Sequence, residues 1–177
     1  IGGLSGTGKS ALAHALAPSF GGAPGAAVLR SDVVRKRLAG VQPTERLPDS
    51  AYRREMSKAV YDRLLELAAT VVGGGHSAIV DAVFLDHGER SAIEDVARRA
   101  GVPFSGMWLE LPLEERARRV GTRSRDASDA TVEVARRQEE LDPGPMAWSR
   151  VSAAGSLEAV AERVQALTHL NAASQIG

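Results

Sequence analysis

Cysteine is absent from this chain of 177 residues, which excludes a disulfide framework and a thiolate metal site. The four histidines have no metal-ligand spacing, and no apolar run approaches the length of a membrane span. The formal net charge is zero, whereas a protein whose main partner is nucleic acid carries a basic surface. We therefore expect neither a membrane nor a nucleic-acid partner, and the simplest class is a cytoplasmic enzyme.

Hydrophobic residues make up 44% of the chain, which is enough for one sizeable core. The hydrophobic pattern predicts alternating elements, with strands near 26–29, 78–81, 104–111 and 148–153 and helices near 9–17, 50–72, 87–100, 129–141 and 157–167. Apolar residues from Tyr52 to Val71 recur every three or four positions and should share one face of the second helix. The alternation is typical of an α/β fold with a mostly parallel sheet of about five strands and helices on both faces.

Residues 3–10, Gly-Leu-Ser-Gly-Thr-Gly-Lys-Ser, match the phosphate-binding pattern G-x-x-x-x-G-K-[ST]. In such a loop, backbone N–H groups surround a polyphosphate, the lysine reaches the β- and γ-phosphates, and the last hydroxyl holds Mg²⁺. Lys9 is one of only three lysines beside nineteen arginines, so it is hard to explain as background. A flexible Gly/Ser turn is the alternative, but an apolar helical run follows at 11–16. The nucleotide-binding candidates are Gly3, Ser5, Gly6, Thr7, Gly8, Lys9, Ser10 and Ala11.

The start of the chain is abrupt for such a motif. Only Ile1 and Gly2 precede Gly3, although a loop of this kind follows a buried strand. The first strand is therefore largely missing, and we expect the chain to be a fragment of a longer protein. Its domain is predicted over residues 1–170, with a loose polar tail at 171–177.

Two carboxylates follow predicted strands, at the edge where parallel α/β sheets bind their ligands. Asp32 comes after the strand at 26–29, and Arg35 lies three residues later on the same side of a helix. A phosphotransferase needs a carboxylate to orient an acceptor hydroxyl and take its proton, and a cation to fix the acceptor. We predict these roles for Asp32 and Arg35. The alternative is that Asp32 only caps the helix at 33–38 and that Arg35 is solvated.

The second carboxylate, Asp81, ends the strand at 78–81. Several apolar residues followed by Asp are typical of a magnesium site, so Ser10 and Asp81 are the metal candidates. A strand-end Asp that caps a turn is the alternative. Further along, Asp86 and Glu89 have the spacing of a capping box, which makes Asp86 structural. Arg90 is interpreted as a surface residue.

An arginine-rich segment spans residues 113–125 and is followed by polar residues, so we predict a mobile lid over about 114–130. An arginine delivered to the transferring phosphoryl group is worth about 10³–10⁵ in rate. Arg119 and Arg123 are four residues apart and are the catalytic candidates, since they can project together. Arg116 and Arg118 are interpreted as a solvated face paired with neighbouring glutamates.

Taken together, these residues resemble the small P-loop kinases related to polynucleotide kinase, gluconate kinase, chloramphenicol phosphotransferase and zeta-type toxins. The most similar group comprises predicted kinases that occur behind an aminoglycoside-phosphotransferase-like domain. The resemblance covers residues 3–164 and rests on the loop at 3–10, Ser-Asp-Val-Val-Arg at 31–35, Ile-Val-Asp-Ala-Val-Phe-Leu at 79–85, and the paired arginines followed by Ser-Asp-Ala at 128–130.

The resemblance implies a P-loop NTPase three-layer sandwich with an Arg-rich lid, and ATP and Mg²⁺ as cofactors. It also implies that Asp32 is the acceptor-side base, that Arg35 contacts the acceptor, and that lid arginines contact the phosphates. A fused N-terminal domain would explain the abrupt start of the chain.

The leading hypothesis is an ATP-dependent kinase, a transferase that moves the γ-phosphate to a hydroxyl of a small molecule. One alternative is a polynucleotide 5′-kinase, which the neutral charge disfavours. Another is an ATP-binding regulatory domain attached to an aminoglycoside-phosphotransferase-like partner. A switch GTPase is disfavoured because no Asp-x-x-Gly occurs and the only asparagine is Asn171.

Overall fold

A computed structural model describes residues 1–122 and 128–174 of the chain. Five strands alternate with helices in the described ranges, and their bounds are β1 Gly2–Gly3, β2 Ala27–Arg30, β3 Ala78–Asp81, β4 Met107–Glu110 and β5 Ser149–Ser152. The α-helices are α1 Lys9–Leu16, α2 Ser31–Leu38, α3 Arg54–Gly73, α4 His87–Ala100, α5 Leu113–Gly121, α6 Val132–Glu139 and α7 Leu157–Ser174. None of the described helices combines the length and the apolar character that a membrane span needs.

All strand pairs run parallel, in the orders β2-β3 and β1-β4-β5. Backbone hydrogen bonds join the two sets, because Gly3 N donates to Val83 O at 3.1 Å and Ala82 N donates to Ile1 O at 3.4 Å. The short strand β1 therefore lies between β3 and β4. The expected parallel α/β fold is confirmed, and the carboxyl ends of all five strands point to one edge.

Helices cover both faces of the sheet, as alternation of side chains along β4 demonstrates. Met107 and Leu109 are buried in a cluster with α1 and α7, whereas Trp108 is buried in a second cluster with α3 and α4. Trp148 lies in the second cluster too, so both tryptophans are core residues.

The long helix α3 begins later than predicted. Residues 49–52 form a 3-10 turn, and Arg53 has an extended backbone with ψ 159°, so the α-helix starts only at Arg54. Tyr52 consequently lies outside α3 and is half-exposed, which corrects its predicted place on the helix face. Its side chain has other partners, described below. At the other end of the chain, α7 continues to Ser174, beyond the predicted end at Leu167.

The turn after β3 is held by a buried arginine that the sequence interpretation placed on the surface. Arg90 is 2% exposed, and its guanidinium donates to the carbonyl oxygens of Phe84, Leu85, Pro143 and Pro145. It thereby joins this turn to the segment before β5, which is why it is buried. The capping box at Asp86 is confirmed, since the Asp86 side chain accepts from Gly88 N at 2.7 Å.

Candidate active site

The phosphate-binding loop connects β1 to α1 and is shaped by its glycines. Gly6 and Gly8 have φ angles of 89° and 92°, which side-chain-bearing residues rarely adopt. Gly8 is the N-cap of α1, so the amides of the first helical turn are directed into the loop. The Lys9 ammonium lies over the loop and donates to Leu4 O at 3.1 Å. A positive charge and a set of amide donors thus surround the space that a phosphate would take.

Two side chains hold the backbone N–H and C=O of Ser5 in this loop from outside. Ser5 N donates to Gln138 Oε1 of α6 at 2.8 Å, and Ser5 O accepts from Arg116 Nη1 of α5 at 3.3 Å. A Cβ on Gly6 would lie 2.6 Å from Arg116 O, so the loop packs directly on the backbone of α5. Helix α5, which begins within the predicted lid region, and helix α6, which follows that region, therefore form the outer wall of the phosphate loop.

Arg116 corrects the sequence interpretation, which placed it on a solvated face. It is 1% exposed and bonds Leu111 O, Ala135 O and the Glu139 carboxylate in addition to the loop. The reason is that α5 packs against the loop and α6, so this face of the helix is internal. Arg118 is solvated as predicted, with a side chain that is 71% exposed.

The two predicted metal ligands, Ser10 in the first turn of α1 and Asp81 at the end of β3, contact each other. Ser10 Oγ donates to Asp81 Oδ2 at 2.5 Å, and Arg30 Nε lies 3.5 Å from the same oxygen. A hydroxyl and a carboxylate are the oxygen ligands that Mg²⁺ prefers, and Mg²⁺ commonly takes only one or two protein ligands beside water and phosphates. No cluster of three acidic, histidine or cysteine side chains occurs in the described residues. The residues present therefore fit Mg²⁺ bound jointly with a nucleotide.

Asp32 lies in the first turn of α2, close to this pair. Arg30 is the N-cap residue of α2, so Asp32 is not the cap that the alternative interpretation required. Burial raises the pKa of the Asp32 carboxyl, and the negative charge of Asp81 raises it further. Lys9, a hydrogen bond from Ser128 and Arg30 act in the opposite direction. Asp32 thus faces both the metal candidates and the lysine of the loop.

Arg35 is buried rather than solvated, so that part of the alternative interpretation is wrong. It is 8% exposed, and its Nη1 donates to Ala51 O at 2.8 Å, with Ser57 Oγ at 3.4 Å. The guanidinium lies 4.9 Å above the centre of the Tyr52 ring, within the range of a cation–π contact. Among the residues that the structure describes, none offers Arg35 Nε a hydrogen-bond partner. A buried donor without a partner is costly and usually has a functional explanation.

A polar network beside Arg35 had no counterpart in the sequence interpretation. The carboxylate of Asp129 accepts from Lys36 Nζ at 2.9 Å, Leu47 N at 3.0 Å and Tyr52 Oη at 2.8 Å. Lys36 is 1% exposed. Burial alone would raise the pKa of Asp129, but the bonds from Leu47, Lys36 and Tyr52 outweigh it and lower the pKa. The scarcity of lysine, which singled out Lys9, was the one available signal for Lys36.

Arg119 of α5 lies beside Gly8 of the phosphate loop. Its Nη2 donates to Glu115 Oε1 at 2.7 Å and to Ala153 O at 3.1 Å, and its Nη1 lies 3.6 Å from the Cβ position of Gly8. A cleft of about 340 Å³ opens here, lined by Thr7, Gly8, Ala11, Arg119, Ala153 and Gly155 among others. The second candidate lid arginine, Arg123, lies outside the described residues.

Solved structures with the same fold include two kinases. The chain is 23% identical to the APS kinase CysC of Mycobacterium tuberculosis in complex with AMPPNP and APS, with a TM-score of 0.65 over 95% of this chain and 94% of that one. It is 20% identical to a gluconokinase from Sinorhizobium meliloti 1021, with a TM-score of 0.64 over 99% and 93%. At these identities the likeness shows a kinase-like P-loop fold.

A longer protein shares more of the sequence. An uncharacterized protein of Mycobacterium tuberculosis strain H37Rv is 33% identical over 166 residues, which is 89% of this chain and 32% of that protein. The chain thus spans about a third of the length of the curated relatives it matches. Residues 1–142 match the family AAA_33, described as an AAA domain. Since this match covers well over half of its residues, the chain belongs to the AAA_33 family of AAA domains.

Proposed function

We propose that this domain is an ATP-dependent phosphotransferase that moves the γ-phosphate to a hydroxyl of a small molecule. The observation that carries the proposal is the meeting of Ser10 and Asp81 at 2.5 Å, with Asp32 beside them and Lys9 over the loop. A phosphate cradle, a metal-binding pair and a buried carboxylate are the parts that phosphoryl transfer to an alcohol needs.

The nucleotide side of the proposed site uses the loop and the neighbouring cleft. Backbone amides of residues 3–11 would hold the phosphates, with Lys9 at the β- and γ-phosphates. The base would enter the cleft beside Gly8, where the Arg119 guanidinium can lie against it or against the phosphates. Arg123 stays a predicted phosphate contact. The CysC structure, in which a kinase of the same fold carries AMPPNP, supports a nucleotide as one substrate.

Mg²⁺ would be held by Ser10 and Asp81, and when bound it neutralises charge that builds up on the phosphate oxygens. These two side chains are already in contact, so their oxygens need no large rearrangement to share a ligand. Arg30 Nε, 3.5 Å from Asp81 Oδ2, places a positive charge beside this carboxylate.

On the acceptor side, Asp32 would accept the proton of the attacking hydroxyl. A new bond forms between the acceptor oxygen and the γ-phosphorus, the bond from that phosphorus to the β,γ-bridging oxygen breaks, and ADP leaves. The raised pKa of Asp32 makes it a stronger base than an exposed aspartate. Arg35, whose buried Nε has no hydrogen-bond partner among the described residues, would bind an oxygen of the acceptor.

The proposal is tested by measuring ATP consumption with a panel of sugars, aminoglycosides, nucleosides and 5′-hydroxyl oligonucleotides. Asp32→Ala should lower transfer to the best acceptor by about 10²–10⁴-fold, with ATP affinity nearly unchanged. Asp62→Ala is the matched control, since Asp62 is an exposed aspartate on α3 and should leave both quantities alone. An equal loss of transfer and of ATP affinity in Asp32→Ala would contradict the assignment.

A second candidate is an ATP-binding regulatory domain, which the greater length of the relatives favours. Because the chain spans only about a third of those proteins, the domain can act on a partner domain in the same polypeptide. In that case ATP would bind to the loop, no acceptor in the panel would be phosphorylated, and Asp32→Ala would have no effect on ATP turnover. The same experiment therefore separates the two functions.

A further inference from the structure

We propose that Asp129 is a positioning residue that holds Arg35, the acceptor-side cation, in its working orientation. The proposal rests on the phosphotransferase function proposed above and extends it to a residue with no assigned role. Its basis is a set of contacts that joins Asp129 to α2 and to the turn before α3.

The first step is the anchoring of Asp129. Its carboxylate accepts three hydrogen bonds, from the buried ammonium of Lys36, the backbone of Leu47 and the hydroxyl of Tyr52. These donors come from α2, from the segment between α2 and α3, and from the 3-10 turn before α3. One carboxylate thus joins three pieces of chain that surround Arg35. A charge-assisted network of this kind fixes its members more firmly than neutral contacts do.

The second step leads from Asp129 to Arg35. Tyr52 Oη is bonded to Asp129, and the Tyr52 ring lies against the Arg35 guanidinium at 4.9 Å. The Arg35 Nη1 is held at the same time by Ala51 O, in the same turn as Tyr52. The orientation of the guanidinium is therefore set by a turn that Asp129 anchors, and so is the direction of its Nε, which lacks a partner in the part of the chain that the structure describes.

The second step is tested by kinetics with the best acceptor of the panel. Tyr52→Phe keeps the ring over Arg35 but removes the bond to Asp129, so the KM for the acceptor should rise about 3–10-fold while the KM for ATP stays unchanged. Ser91→Ala, which removes an exposed hydroxyl on α4, is the control. A role in folding alone would move both KM values together or neither, and either result would overturn the proposal.

Failure of this proposal and failure of the phosphotransferase assignment give different results. If the assignment fails, no acceptor in the panel is phosphorylated, or Asp32→Ala loses transfer and ATP affinity equally, and the positioning role falls with it. If only the positioning role fails, Asp32→Ala still loses transfer with ATP affinity nearly unchanged, while Tyr52→Phe leaves the acceptor KM unchanged.

Discussion

The two sides of the candidate site are built in different ways. On the phosphate side, the loop is shaped by glycine backbone angles and by bonds between near neighbours, such as Lys9 to Leu4. On the acceptor side, Asp129 is bonded to Lys36, Leu47 and Tyr52, which are 93, 82 and 77 positions away. A local motif therefore specifies the conformation of the loop, which Arg116 and Gln138 support from outside, whereas long-range side-chain contacts assemble the acceptor side itself.

This difference teaches where variation can occur. Phosphate binding depends on a backbone conformation that few sequences adopt, so the loop has little freedom to change. The acceptor side depends on polar side chains that other residues could replace as a set. The predictions below test each half separately, beginning with the largest expected effect.

The largest effect is expected in the loop. Gly6→Ala should lower ATP affinity at least about 100-fold, because its Cβ would lie 2.6 Å from Arg116 O and its φ of 89° strains any side chain. Calorimetric titration with ATP measures the change. Gly40→Ala is the control, since Gly40 has a φ of 72° but open space around it, so stability should fall by about 1 kcal/mol without loss of ATP affinity.

The next effect concerns the outer wall of the loop. Arg116→Met removes the hydrogen bonds to Ser5 O, Leu111 O and Ala135 O, so the free energy of unfolding should fall by about 2 kcal/mol. ATP affinity should fall by about tenfold, because the backbone of Ser5 loses one of its two side-chain hydrogen bonds. Chemical denaturation and ATP titration measure the two quantities. Arg118→Met, on the exposed face of the same helix, should change neither quantity. An equal response of both variants would contradict the role of Arg116 in supporting the phosphate loop.

A smaller effect is expected at Asp32, and it has the opposite sign. The pKa of Asp32 is raised by burial and by Asp81, so its ionised form destabilises the folded state. Asp32→Asn should therefore raise the Tm at neutral pH. Below the unfolded pKa both forms are neutral and the difference should vanish, whereas it should grow as pH rises through the folded pKa. Thermal unfolding across pH checks this, and a lower Tm for Asp32→Asn at neutral pH would contradict it.

The smallest effect is expected at an exposed pair far from the site. Lys58 and Asp62 are 2.6 Å apart on α3, with both side chains mostly exposed. Lys58→Met should change the free energy of unfolding by no more than about 0.5 kcal/mol, since such pairs are weak. A loss as large as that of Arg116→Met would show that the contrast between buried and exposed ion pairs is wrong for this protein.

Particular residues show which features of the fold and of the site can be predicted from the sequence. The loop, the strands, the strand-end carboxylates and the capping box at Asp86 follow from local patterns, and the structure has them where expected. The predicted solvent exposure of Arg116 is wrong. The glutamates beside it suggest a solvated helix face, and only the packing of α5 on the loop reveals that Arg116 is internal. Lysine is rare in this chain, yet Lys58 is exposed and Lys36 is buried, so the rarity of a residue type does not by itself identify a buried polar network.

Contacts that join distant segments cannot be predicted from local sequence patterns. Gln138 supports Ser5 from 133 positions away, and nothing in the local pattern of α6 indicates that partner. The partners of Asp129 are equally absent from its local pattern, since the motif Ser-Asp-Ala at 128–130 indicates no role for this residue. Such pairs become visible only when the sheet order brings the segments together.

The most direct test of the account is a crystal structure of the protein with AMPPNP and Mg²⁺. The account predicts phosphates enclosed by the amides of residues 3–11, the ion shared by the nucleotide, Ser10 and Asp81, and the Asp32 carboxylate facing the γ-phosphorus. An empty loop, or a nucleotide bound with Asp32 turned away from its terminal phosphate, would contradict it.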